Sequence, residues 1–301
     1  LQAGDEVITP TFTFIATAEV VALLGLKPVL VDVDWDTMNI SLESVERAIT
    51  AKTRAIVPVH LFGQCAEMEG LLALAREKGL FVIEDACQAI GSKYTFSDGR
   101  SKQAGTIGDI GCTSFFPSKN LGCYGDGGAI FTNNDALAAK MRAIANHGMV
   151  VRYYHEMVGV NSRLDSIQAA VLDVKLRYLD DYIVARQKAA AYYDEAFAGC
   201  NKILTPVRDT KSTHVYHQYA LRLQGVNRDE LRASLSDAGI PAMVYYPVPL
   251  HLQSAYKDAR YTAGSFPVAE HLSECVLSLP MHTELDEEQL EYITHRVLEC
   301  L

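Results

Sequence analysis

The 301 residues carry 49% hydrophobic and 21% charged side chains, ordinary globular values that allow one large domain and a smaller one. Net charge is −10 with a pI near 5.4, which excludes a general nucleic-acid-binding role and requires a local cationic pocket for any anionic substrate. Seven scattered cysteines without a CxxC pair argue against a disulfide framework and for a reducing, cytoplasmic setting, and no stretch approaches the ~20 apolar residues of a membrane helix.

Glu6 to Thr9 reads as a short strand stopped by Pro10. Phe12 to Leu24 has helical spacing and ends at Gly25. Pro28 to Asp32 is a buried strand, and Ser41 to Ile49 an amphipathic helix with Ser41 as N-cap. Arg54 to His60 is a strand, Met68 to Lys78 a helix, and Leu80 to Glu84 a strand. Strands alternating with helices of this length predict βαβ units and a parallel sheet, whose ligands bind at the carboxyl ends of the strands. Asp85 lies at such an end, so it is placed either for chemistry or as the cap of a following helix.

Residues 108 to 133, GDIGCTSFFPSKNLGCYGDGGAIFTN, hold the chain's most unusual pattern. A β-rich run from Cys112 to Phe116 leads into Pro117-Ser118-Lys119-Asn120, a glycine-rich loop and a second apolar run, Ala129 to Thr132. A lysine hemmed in by glycines suits covalent attachment to a cofactor whose ring needs the backbone out of its way. The alternative is an ordinary loop lysine, since a glycine-rich loop alone is a weak signal.

Asn134 to Asn146 reads as a helix, Tyr153 to His155 and the approach to Asn161 as a loop, and Leu164 to about Gly199 as one broken helix or two. The remainder predicts a small α+β domain: strands at Val215–Leu223, Ala242–Tyr246 and Val276–Leu279, and helices from Asn227 to Ala238, Val268 to Cys275 and Asp286 to Leu298. Asn227 with Glu230 resembles a capping box. The expected division is 1–185 for a large cofactor-binding domain and 186–301 for the small one.

Asp85, Gln88, Ser114 and Lys119 together match what a pyridoxal phosphate (PLP) site requires. The lysine forms a Schiff base and the acid keeps the pyridine nitrogen protonated. Donors are also needed for the phosphate and the ring hydroxyl. A nicotinamide-dependent oxidoreductase would need GxGxxG between a strand and a helix. The glycines from 122 to 128 fall between two strands, which discounts it.

The stretches GDEVITPTFTFIATAE, TRAIVPVHLFGQ, VIEDACQAIGS, SFFPSKNLGCYGDGGAIFTN, NHGMVVRYYHEMVGVNSRLDSIQAA, YYPVPLHLQ and LSLPMH, in this order, resemble the sugar aminotransferases of the DegT/DnrJ/EryC1/StrS family. That resemblance implies fold type I: a large α/β domain with a mostly parallel central sheet plus a small C-terminal α+β domain. It implies that Lys119 binds PLP covalently, Asp85 pairs with the ring nitrogen and Gln88 approaches the ring hydroxyl. Phe14 is implied to stack on the ring and Ser114 to bind the phosphate. Asn161 is implied to reach the phosphate of the neighbouring subunit's cofactor, in a homodimer with shared sites. Relatives that dehydrate sugars carry histidine where Lys119 stands, so transamination is expected. The family also uses a Gly-Thr or Gly-Ser turn upstream of GDEV, and an N-terminal segment is therefore expected to precede Leu1.

For the substrate, Arg163 is a candidate for a sugar carboxylate, or is paired locally. Tyr245, Tyr246 and His251 fall in the stretch resembling the substrate-side loop, although many relatives have histidine where Tyr245 stands. His147 and His155 either line the site or sit exposed. SFFPSKNLGCYGDGGAIFTN and VGVNSRLDSIQAA are similar to one branch in particular. That branch aminates C3 of UDP-2-acetamido-2-deoxy-3-oxo-glucuronic acid for bacterial surface polysaccharide such as lipopolysaccharide O-antigen. The expected reaction takes its amino group from L-glutamate. The other expectations are a UDP- or dTDP-linked 6-deoxy keto-sugar aminated at C3 or C4, and a non-catalytic regulatory protein on the same fold. No metal is expected.

Overall fold

A computed structural model describes residues 1–301. In chain order its first half contains β1 (Glu6–Pro10), α1 (Ala16–Leu23), β2 (Lys27–Val31), α2 (Leu42–Ala48), β3 (Thr53–Ile56), α3 (Met68–Lys78) and β4 (Phe81–Asp85). A short hairpin, β5 (Lys93–Thr95) and β6 (Ser101–Gln103), precedes β7 (Ile110–Ser114), β8 (Gly128–Phe131) and α4 (Asp135–Ile144). A second hairpin, β9 (Met149–Val151) and β10 (Tyr154–His155), leads to α5 (Ser166–Leu176) and α6 (Leu179–Ala196). The chain closes with β11 (Ile203–Leu204), β12 (Tyr219–Leu223), α7 (Arg228–Asp237), α8 (Pro267–Cys275), β13 (Val276–Leu279) and α9 (Glu287–Glu299). No helix is long and apolar enough to cross a membrane.

Six strands form the central sheet in the order β2-β1-β3-β4-β7-β8. All neighbours run parallel except β8, which returns antiparallel to β7. Alternate residues face opposite sides, as strand geometry dictates. Ile8, Val29, Val31, Ile56 and Val82 pack on Val45, Leu71 and Leu74 of α2 and α3. Val7, Ala55 and Val57 face Val21 of α1 on the other side. With both faces covered, the strands read as apolar runs.

The C-terminal part builds its own core. Tyr219, Leu221 and Leu277 from the three-stranded sheet β11-β12-β13 meet Tyr193 of α6 and Phe197 just beyond its end, Leu235 of α7 and Ile293 of α9. A third cluster joins this unit to the carboxyl edge of the large sheet: Phe12, Val59, Leu61 and Phe62 lie against Ala220, Leu272 and Val276, with Tyr245 and Tyr246 at its margin.

The structure departs from the sequence reading in five places. The helix expected from Phe12 starts at Ala16, because the chain bends through Thr11 to Thr13 and turns Thr13 and Phe14 to the cavity described below. The strand expected from Val215 starts at Tyr219, since Val215 and His217 spend their N–H groups on Gly63 and Phe62 instead of a strand partner. Ala242–Tyr246 is not a strand; only Met243 pairs, with Ser278. Tyr154 and His155 form a hairpin with β9 and are not a loop. Finally, Glu230 bonds the side-chain amide of Asn227 rather than its backbone, so the full capping box lies at Asp286 and Gln289 instead.

Candidate active site

Three strand ends converge on one cavity of about 540 Å³. The segment after β1 supplies Thr13 and Phe14, β4 supplies Asp85, β7 supplies Ser114, and the turn after β7 supplies Lys119. Tyr245, Tyr246 and His217 close it from the C-terminal part. This is the crevice that a parallel sheet offers to ligands.

Lys119 sits in a tight turn closed by its N–H donating to the Phe116 carbonyl at 2.8 Å. Its Nζ makes no ion pair and no hydrogen bond, so the amine is free inside a half-buried site. Burial pulls the amine's pKa below that of an ordinary lysine, and the nearby Cys87 and Asp85 only partly oppose this.

Asp85 is fixed on both oxygens. Oδ2 accepts from Thr17 Oγ1 at 2.6 Å, and Oδ1 accepts from the Cys87 N–H at 3.1 Å. Its main chain bridges to the extension of β3 through Pro58 and His60. No helix follows Asp85, which removes the capping alternative, and Gln88 stands in the turn beyond it.

Its neighbour Glu84 points the opposite way, into the core, and is wholly buried. The carboxylate accepts from the N–H groups of Gly105, Ile107 and Gly108 and from His60 Nε2 at 2.8 Å. His60 Nδ1 accepts from the Ala66 N–H, so the imidazole is neutral with its proton on Nε2. Burial alone would raise the Glu84 pKa, but the hydrogen bonds from His60 and the amides outweigh it and hold the carboxyl below its usual range. Glu84 thereby locks the end of β4 that presents Asp85.

Gln88 is equally constrained. Oε1 accepts from the Phe62 N–H at 2.7 Å, and Nε2 donates to the Tyr246 hydroxyl at 3.0 Å. Burial raises the Tyr246 pKa, which keeps the phenol protonated. The Phe14 ring lies 6.4 Å from that of Tyr246 with an interplanar angle of 40°. Ser114 Oγ accepts from the Phe116 N–H at 3.2 Å and lines the cavity beside Ser118.

Of the sequence-selected residues, Phe14, Asp85, Gln88, Ser114, Lys119, Tyr245 and Tyr246 share this cavity. His251 does not. It is 3% exposed, its Nδ1 meets Thr11 Oγ1 at 2.9 Å and its Nε2 meets Glu270 at 2.9 Å, which consumes both ring nitrogens in tying its loop to the end of β1. Asn161 and Arg163 are exposed and stand outside the cavity of their own chain, with Arg163 donating to Asn146 Oδ1 at 3.0 Å. His155 and His147 are in contact through the His147 carbonyl, away from Lys119.

The glycines serve a different purpose from the one expected. A Cβ on Gly122 would lie 2.5 Å from the Pro117 carbonyl oxygen, and one on Gly128 2.7 Å from that of Thr113. They let the chain fold onto itself, which holds the lysine turn shut. Thr17, His217 and Asp126 also belong to the site, and sequence reasoning passed over them. Asp126 stands inside the glycine-rich run and carried a local signal; Thr17 and His217 carried none.

The model of the DegT/DnrJ/EryC1/StrS aminotransferase family matches residues 1–298. The chain belongs to this family. It is 50% identical over 298 residues to a pleiotropic regulatory protein of Geobacillus stearothermophilus, covering 98% of this chain and 78% of that one. It is 49% identical over 290 residues to the UDP-2-acetamido-2-deoxy-3-oxo-D-glucuronate aminotransferase of Pseudomonas aeruginosa, covering 96% and 78%. A crystal structure of a DegT/DnrJ/EryC1/StrS aminotransferase from Brucella abortus superposes with a TM-score of 0.92 at 43% identity, over 99% of this chain and 80% of that one. Other relatives are named for dTDP- and GDP-linked sugars. The fold is thus that of the family, α/β with a mostly parallel central sheet, and the activity is that of a sugar-nucleotide aminotransferase.

Pyridoxal phosphate is the family's cofactor, and the cavity suits it. An unpaired amine and a carboxylate with both oxygens steadied from behind line the same cavity, beside an exposed aromatic face and two serine hydroxyls.

Proposed function

We propose that this chain transfers the amino group of L-glutamate to C3 of UDP-2-acetamido-2-deoxy-3-oxo-glucuronic acid. The relatives named for UDP-linked 3-keto sugars support the acceptor. The observation that carries the chemistry is the free Lys119 amine in a cavity with the Asp85 carboxylate.

Bound pyridoxal phosphate supplies an electron sink for the pair left when a proton is removed from the carbon bearing nitrogen. The chain's residues do the rest. Lys119 Nζ, made less basic by burial, takes that proton and returns it on the other side of the reaction, once with glutamate and once with the sugar. Asp85 holds a protonated ring nitrogen by charge, while Thr17 and the Cys87 amide keep its carboxylate from turning away. Gln88 and Tyr246 form a linked pair at the ring oxygen, Ser114 hydrogen-bonds the phosphate and Phe14 covers the ring face.

The cavity contains two carboxylates, Asp85 and Asp126, against a single lysine. An anionic sugar nucleotide therefore needs further cations. Arg163 of a second copy is the proposed source, with the neutral Asn161 amide beside it as a hydrogen-bond donor, in a homodimer with shared sites. The hairpin beside them and the segment that follows it are unusually apolar for a surface: Tyr153, Tyr154 and Val158 are 74%, 71% and 95% exposed. The site then lies between the lobes 1–185 and 186–301, and the unpaired cysteines suit a cytoplasmic enzyme of surface-polysaccharide synthesis, the lipopolysaccharide O-antigen included.

A panel of UDP- and dTDP-linked keto-sugars with glutamate tests this reading. The UDP-linked uronic acid should react fastest, and equal rates on a 6-deoxy sugar would remove the carboxylate role of Arg163. The regulatory name of one relative makes a non-catalytic reading the second one. Incubation of the PLP-loaded protein with glutamate separates them: loss of the visible band of the lysine-bound cofactor means a competent half-reaction, and persistence favours the binder.

A further inference from the structure

His217 lines the Lys119 cavity yet is only 6% exposed. Its N–H donates to the Phe62 carbonyl at 2.8 Å, across an approach of two backbones that Gly63 permits. At φ 109 a Cβ on Gly63 would be 2.9 Å from the Tyr216 nitrogen. The N–H of the same Phe62 residue is the donor to Gln88, which in turn holds Tyr246. Three cavity-facing side chains, Gln88, Tyr246 and His217, thus share one anchor.

The ring's own bonding is incomplete. Nδ1 is fully buried and has no partner, which costs free energy that a phenylalanine of similar volume would not incur. Burial, with Lys119 and Arg186 nearby, disfavours the charged imidazolium. Of the two neutral forms, the one with a bare Nδ1 avoids an orphaned N–H, the rarer kind of buried defect. The proton is then on Nε2, the nitrogen left to meet the cavity. His217 lines the cavity together with Tyr245 and Tyr246, within electrostatic reach of Lys119. A neutral donor is a weak match for a carboxylate, which favours charged partners, and a good match for an uncharged sugar oxygen.

Building on the transaminase reading above, we propose that His217 binds the acceptor sugar, donating a hydrogen bond from Nε2 to an uncharged oxygen of the keto-sugar ring or its N-acetyl group. It serves the sugar half of the reaction more than the glutamate half.

The test uses PLP-loaded wild type, H217Q, H217N and H217F. Each half-reaction is followed separately through the visible band of the lysine-bound cofactor, with L-glutamate and with the amino-sugar nucleotide product whose keto form the wild type aminates best. Glutamine can place its amide nitrogen near the Nε2 position and asparagine near Nδ1. H217F and H217N should raise the apparent dissociation constant for the sugar nucleotide at least tenfold more than that for glutamate. H217Q should recover most of the loss. Equal effects on the two substrates, no effect, or no advantage of H217Q over H217N overturns the proposal, and the last comparison stands even if H217F does not fold. A wild type that reacts with glutamate but with no sugar nucleotide overturns the substrate reading and this one together; a wild type that aminates a sugar while all variants lose both halves alike overturns only the role of His217.

Discussion

Thr17, on the first helix, donates a hydrogen bond of 2.6 Å to Oδ2 of Asp85, 68 residues further along the chain. Without it the carboxylate would be held only through Oδ1, by the Cys87 N–H. A bond to a charged group contributes ~1.5–3 kcal/mol, and its loss is felt by whatever the carboxylate then holds. Thr17→Val keeps the shape and removes the donor. Its affinity for PLP should fall by ~10- to 100-fold, and Thr17→Ser should keep most of it. Equilibrium titration of the apoprotein with PLP measures both.

Lys119 carries the proton transfers in the proposed reaction, and no second amine faces the cavity. Lys119→Ala should abolish the visible band of the lysine-bound cofactor and lower turnover by ~100- to 10,000-fold. Lys119→Arg should do no better, because a guanidinium stays protonated at working pH. Full turnover in either variant would remove the lysine from the mechanism.

Gly122 sits where a side chain has no room, with the nearest atoms belonging to the backbone at Phe116 and Pro117. Backbone cannot give way as a flexible side chain can. Gly122→Ala should therefore cost ~1–3 kcal/mol of stability, read from urea denaturation. It should also displace the Lys119 turn, so PLP affinity should fall in step.

The buried histidine His214 predicts how the protein behaves in acid. Its Nδ1 accepts from the Tyr216 N–H at 3.0 Å, a bond that protonation at Nδ1 would break. Burial, with Arg208 adding to it, brings its pKa from 6.5 down to about 3. Between those values the unfolded chain takes up a proton that the folded chain refuses. Stability should fall with pH in that window, by up to ~1.4 kcal/mol per unit from this residue. Above pH 6.5 both states are neutral and the effect vanishes. His214→Asn preserves an acceptor near the Nδ1 position without a titrating ring, so urea denaturation across pH 4 to ~7 should show a shallower slope. An unchanged slope would assign the acid sensitivity to other groups.

The alternation of strands and helices through β4 was legible because each strand is buried on both faces and each helix shows its own cap, Ser41 and Gly79 among them. Asp85, Ser114 and Lys119 were legible for the same reason: they stand at strand ends or one turn beyond. What the sequence hid was contact between distant segments. Thr17 looks like one more helix residue until its partner is known. Val215 to His217 alternates like a strand, but its amides go to Phe62 and Gly63, a pairing that no local pattern announces. Tyr245 and Tyr246 read as strand and are instead cavity wall. His251 sits in a stretch shared with sugar-binding relatives, yet Thr11 and Glu270 claim both its nitrogens.

Val158 is 95% exposed and neighbours Asn161 and Arg163 on the segment that returns beside α4. A valine, two tyrosines and two further valines at 150 and 151 leave an apolar surface that water does not favour. If a second copy covers it, the same contact delivers Asn161 and Arg163 to that copy's cavity. Val158→Asp places a charge in the contact without touching the cavity of its own chain. Sedimentation should then show monomers where the unaltered protein sediments as a dimer, and the monomer should lose sugar transamination. Arg163→Ala should leave the dimer intact and weaken the sugar acid alone. A Val158→Asp monomer with full activity would show that each chain supplies its own cations, and would take both residues out of the site.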